Sequence, residues 1–229
     1  MTTAPARRIL ALLVAACCAT VLTGCAGLHG ALGAYFAADP LTSHPISGAT
    51  PSAPAASASA GGIRVVHTPA VVIDDMQLST GSCHARVVDA QAGLVLPDPN
   101  CTPGGIDPAV TQATLDQTIC RTGYTKTVRP PVRQTDALKH RLLLAYGQAY
   151  TPSTEEDHLI SLGLGGSSST SNLWVEPNKR GATAPRNPKD DVEDVLHQAV
   201  CSRRVTLEAA QHAMATDWTT AERTLGLAR

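Results

Sequence analysis

Large aromatic side chains are scarce: two Trp, four Tyr and one Phe make up 3% of 229 residues. A core with so few rings must be built from Leu, Val, Ile and Ala. An excess of one charge is missing too, since 18 Lys and Arg face 19 Asp and Glu, for a net −1. That excludes a strongly basic coat and nucleic-acid binding driven by bulk charge. Beyond the N-terminus, no apolar run approaches the roughly 20 residues that span a bilayer. No two cysteines stand in CxxC spacing, which argues against a structural zinc site. No internal repeat is present. The length suits one medium domain with residues to spare.

What is present begins with an address. Arg7 and Arg8 precede a short apolar run, residues 9–22, which has the form of a secretory signal over 1–24. It ends in Leu22-Thr23-Gly24-Cys25, which resembles the lipobox of bacterial lipoproteins. The resemblance implies cleavage before Cys25, acylation of its thiol, and anchoring to the cell membrane or outer membrane of a bacterial envelope. One acyl chain alone is a marginal anchor, whereas two hold stably. Cleavage removes two Arg and no acid, leaving 16 basic and 19 acidic residues. Residues 25–62, rich in Ala, Ser, Gly and Pro, bury too little apolar surface to offset ordering and read as a disordered linker. Residues 63–229 are the folded domain, expected to be a monomer without a small-molecule cofactor.

Four cysteines remain in that domain: Cys83, Cys101, Cys120 and Cys201. An even number in an exported domain points to two disulfides, with three possible connectivities. Cys83–Cys101, closing a local loop, and Cys120–Cys201, stapling the middle to a late helix, are the favoured pairs.

The fold class is α+β. Short alternating pieces over 63–96 predict a small β-rich or irregular lead-in, and the Pro- and Gly-rich stretch 97–105 predicts a loop. Asp107-Pro108 predicts a helix to about Cys120. Residues 121–133, with Pro130-Pro131, predict an extended basic segment. Further helices are expected over Thr135–Tyr146, from Pro188 with Asn187 as cap, and from about Thr206. Between them, residues 157–162 and 172–176 predict two strands around a Gly/Ser loop, so that 156–200 forms a β-β-α unit.

Within that unit stand Asp157-His158, Gly165-Gly166 and Asn172-Leu173, with Asn172 fourteen positions after His158. This order and spacing resembles the HNH nucleases of the His-Me finger group, and the flanking residues look like exported bacterial members. The resemblance implies a mainly helical domain carrying a β-β-α metal finger, and metal-dependent hydrolysis of DNA. It casts His158 as general base, since a neutral imidazole takes a proton from water near neutral pH. Asp157 becomes a ligand to one divalent ion, Mg²⁺ foremost, with Mn²⁺, Ni²⁺ or Zn²⁺ as alternatives. Asn172 becomes the residue that orients the His158 ring.

The pattern departs from the family in one place. A His near the start of the helix is commonly a second metal ligand, yet no His lies between His158 and His197. Asn187 either takes that role or only caps the helix; Asn178 is the lesser candidate. An Asp next to the base on a strand also points to the opposite face, unless the strand is distorted.

Around this constellation, Arg121, Lys126, Arg129, Arg133, Lys139 and Arg141 form either a solvated surface or a phosphate-contacting strip. Arg129 and Arg133 are its nucleic-acid candidates. Lys189 is expected to make helix-surface pairs with Asp190 and Glu193, or else to touch a phosphate. Glu155 and Glu156 read as a solvated approach to the strand, and Trp174 as a core anchor rather than a stacking platform. The rival reading is a non-catalytic lipoprotein that keeps the β-β-α scaffold as a binding or structural module.

Overall fold

A computed structural model describes residues 62–227. The signal segment, Cys25 and all but the last residue of the linker lie outside the described residues. Helices and three small two-stranded sheets alternate along the chain, an α+β arrangement. The lead-in contains β1 (Arg64–Val65), β2 (Arg86–Asp89), β3 (Leu94–Leu96) and β4 (Gly105–Ile106). β1 pairs with β4 in parallel, and β2 with β3 antiparallel.

The expected helix over 107–120 is absent; consecutive turns take its place. Asp107 does accept the Ala109 N–H as a cap would, at 2.9 Å. Threonine hydroxyls then compete for the backbone. Thr114 Oγ1 accepts from the Thr111 N–H and donates to the Ala109 carbonyl, and Thr118 Oγ1 donates to the Thr114 carbonyl. Such local bonds offer the chain an alternative to a helical ladder. The basic segment is not wholly extended either: α1 (Tyr124–Val128) forms before the two prolines. α2 (Val132–Ala145) starts three residues earlier than expected, because the extended Pro131 leaves the chain free to turn directly after it. Its inward residues are Leu138, Leu142, Leu143 and Ala145.

β5 (Glu155–His158) and β6 (Leu173–Glu176) pair antiparallel, with Glu155 opposite Glu176 and His158 opposite Leu173. The first strand therefore ends at His158, two residues earlier at its start and four earlier at its end than expected. The apolar residues after it serve the core instead, where Leu159 and Ile160 are fully buried. A 3₁₀ turn over Leu162–Leu164 follows. Gly166 is obligatory there, since a Cβ would stand 1.7 Å from the Ile160 carbonyl oxygen. The run from Ser167 to Asn172 is not a surface loop: all six residues are fully buried.

α3 (Pro188–Cys201) opens as expected, with Asn187 and Asp190 forming a reciprocal capping box. α4 (Leu207–Asp217) is capped by Thr206, and a 3₁₀ turn at Trp218 leads into α5 (Ala221–Thr224). Trp218 Nε1 donates to the Val95 carbonyl, which ties the C-terminal helices to β3. The β5–β6 hairpin lies against α2, and α3 follows it in the chain, which completes the β-β-α order.

Both disulfides join the expected partners, Cys83–Cys101 and Cys120–Cys201. They fit an oxidising, exported environment. Among the described residues, no helix is long and apolar enough to cross a membrane.

Candidate functional site

His158 closes β5 and is only 7% exposed. Its Nε2 lies 3.0 Å from Ser168 Oγ, on the buried serine run. Burial pushes the imidazole down to about 4, against a smaller upward pull from Asp157, so the ring is neutral across the physiological range. Asn172 does not touch it, contrary to expectation. Its Nδ2 donates to the Ile160 and Ser167 carbonyls, and its Oδ1 accepts from the Ile160 and Gly105 N–H groups. Those four bonds consume the carboxamide and make Asn172 a strap for the turn that follows the strand. Ser168 is the residue that holds the ring.

His158 lines a cleft of about 320 Å³ together with Arg129, Lys139, Tyr150, Glu155 and Glu156. Lys139 Nζ donates to the Thr154 carbonyl and sits 5.1 Å from the Tyr150 ring centre. Arg129, exposed, also lines a second cleft of about 380 Å³ between α1 and α3, where Arg121 and His197 stand. Arg133 is exposed on α2 and lines neither cleft. Arg141 pairs with Asp74 at 2.7 Å. The two glutamates are not a solvated approach. Burial raises Glu155 to about 7 and Glu156 to about 8, with Asp157's charge adding to both.

Asp157 goes elsewhere. β5 is regular through this pair, so neighbouring side chains diverge. Asp157 Oδ2 accepts from the ammonium of Lys189, which also donates to Glu193 Oε1 and, at 2.8 Å, to the His158 carbonyl. Lys189 is thus not a surface residue: it is 1% exposed and out of reach of a phosphate. Its partner from the expected surface pairs is Glu193 alone, because Asp190 bonds the Asn187 N–H. Burial would lower the ammonium's pKa, but Asp157, Glu193 and Glu176 together raise it well above the ordinary value. Burial would likewise raise Asp157, yet Lys189 holds it below the usual carboxylate range. Glu193 is raised to about 8 by burial.

Glu176, fully buried at the end of β6, faces the same group, and neither of its oxygens meets an N–H or hydroxyl. Burial raises it well above 4.5, opposed by Lys189 and reinforced by Asp157.

The expected metal ligands fit poorly. Asp157 is committed to Lys189, and Asn187 Oδ1 accepts the Lys189 N–H at 2.8 Å while its Nδ2 points toward Glu155. Of its two readings, Asn187 fills the helix cap. Among the described residues, no group of three or more His, Cys, Asp or Glu side chains is set to hold a metal ion. Trp174 is fully buried, 6.2 Å from the Tyr146 ring, as a core anchor should be.

Two participants, Ser168 and Glu176, escaped sequence reasoning, and Glu193 was expected as a partner of Lys189 but on the helix surface. Glu193 stood one helical turn after Lys189, a spacing that marks a pair without telling whether it is buried. Ser168 and Glu176 carried no signal, since nothing marks one serine in a run or one acid at a strand end. Compared with family models, with curated proteins and with solved structures, the chain gives no match.

Proposed function

We propose that this chain hydrolyses phosphodiester bonds in DNA at the cell envelope, as an HNH-like endonuclease with His158 as general base. The supporting observation is a neutral imidazole, fixed at Nε2 by Ser168, opening on a cleft that also carries Arg129 and Lys139. The two cations attract a phosphate and orient it beside the ring. A base near 4 is weak in the free protein, and the negative charge of a bound phosphodiester raises it where the proton must be taken. With Nε2 turned to Ser168, Nδ1 is the nitrogen left for water. Lipid at Cys25 would tether this activity outside the cytoplasm, in keeping with the two disulfides.

The test is nicking of supercoiled plasmid by the full chain, disulfides oxidised, against His158→Ala. Loss of a general base lowers the rate by roughly 10²–10⁴-fold. Equal background in both proteins favours the second reading, a binding or structural module on the same β-β-α scaffold. That reading draws on Asp157 and Asn187 being committed inside the protein.

A further inference from the structure

We infer that the Lys189 ammonium occupies the oxygen-lined position that a divalent ion bound to Asp157 would need, so that wild type holds no such ion there. The catalytic part of this inference rests on the phosphodiesterase reading; the cation-binding part stands by itself.

Three oxygens converge on Lys189 Nζ: one from Asp157, one from Glu193 and the His158 carbonyl. An ammonium has three N–H donors, so every one is used. Two carboxylates and a backbone carbonyl are also what a hard cation recruits. Glu176 is buried behind them without a donor of its own, more than 4.0 Å from Nζ.

Charge balance distinguishes the two occupants. A buried group of charges is tolerated when its members cancel. One ammonium is in direct contact with two carboxyl groups, Asp157 and Glu193. A divalent ion in the same place needs two ionised carboxylates. Replacing the ammonium with an apolar chain therefore leaves two carboxyl groups and a backbone carbonyl free to take up one divalent ion.

Lys189 does not touch the cleft, so it is a positioning residue. It fixes the backbone of the base through the His158 carbonyl and pairs Asp157 on the opposite face of the strand. The cations that meet the substrate are Arg129 and Lys139.

The full chain, oxidised and stripped of metal with chelator, is titrated with Mn²⁺ and read by electron paramagnetic resonance. Wild type is expected to bind no Mn²⁺ that Asp157→Asn removes. Lys189→Met is expected to bind one, with an affinity on the order of 100-fold above any residual wild-type binding at that position, within the range that oxygen-ligand sites span. Adding Asp157→Asn to Lys189→Met should abolish it. A folded Lys189→Met that takes no Mn²⁺ overturns the inference. If that variant fails to fold, the wild-type titration decides: one Mn²⁺ lost on Asp157→Asn overturns it, and no such ion sustains it. Plasmid nicking by wild type should persist in chelator within about 2-fold, a change worth under 1 kcal/mol. Nicking that chelator stops and Mg²⁺ restores also overturns it. If neither wild type nor His158→Ala nicks DNA, the nuclease reading fails, and the Mn²⁺ titration still decides the place of Lys189.

Discussion

Ser168 shows how much depends on one hydroxyl. It is the only side chain among the described residues that hydrogen-bonds the His158 ring. Ser168→Ala should leave the fold intact and lower plasmid nicking by roughly 10-fold, about 1.4 kcal/mol of lost positioning. Unchanged nicking would mean the ring is held by packing alone. Titration is a second matter at this scale. His158 is shifted down to about 4, so its contribution to stability is complete above the ordinary 6.5 and is lost as pH falls toward 4. Glu155 and Glu156 are shifted up, to about 7 and about 8, so theirs is complete below 4.5 and is lost as pH rises through 7–8. The two trends cross, and the melting temperature should peak between about pH 4.5 and 6.5 and fall by pH 8.5. Glu156→Gln should flatten the alkaline side; an unaltered slope in that variant would assign the fall to other groups.

At the level of elements, the chain announces its capped helices plainly. Asn187-Pro188 and Thr206 mark starts that the structure reproduces, because cap chemistry is local and the apolar spacing behind each cap agrees with it. Asp107-Pro108 carries the same signal and fails, since the threonines after it bond the backbone themselves, while Val110, Leu115 and Ile119 reach the core from successive turns. Strand ends were misplaced for a different reason. A Leu-Ile pair reads alike whether it continues a strand or plugs a core, and periodicity alone does not separate the two. For α3, Asn187→Ala should cost about 1 kcal/mol in urea unfolding through loss of the cap bond. A much larger loss, accompanied by release of Lys189, would show that the cap also anchors the buried ion cluster.

Across the whole molecule, the two disulfides do unequal work. Cys83–Cys101 closes 18 residues, and Cys120–Cys201 closes 81. Loop entropy assigns them about 3 and about 4.5 kcal/mol. Cys120→Ser/Cys201→Ser should therefore lower the urea midpoint more than Cys83→Ser/Cys101→Ser; the reverse order would place strain or residual structure above loop entropy. Of three possible connectivities the favoured one is present, and that two disulfides form was legible in cysteine parity. The burial of Lys189, and with it the loss of Asp157 as an available ligand, was not. Both depend on how α3 lies against β5, a long-range fact that a charged residue at a helix start does not disclose.

The opening strand bears on this in a mechanical sense. Arg64 is paired to Asp75 at 3.0 Å, Asp75 accepts the Ser171 N–H, and Thr68 Oγ1 accepts the N–H of Ser168. Ile73 bonds the Ser168 carbonyl and the Thr170 N–H on the same run. Tension entering the domain at its first described residues is shared by the β1–β4 ladder, by these bonds, and by those of Thr68 to Asp107, Val72 to Gln134 and Asp75 and Met76 to Thr170, and the serines behind the imidazole are among the next groups in line. The grip on the ring is thus joined, through the serine run, to the seam that anchors residues 64–75.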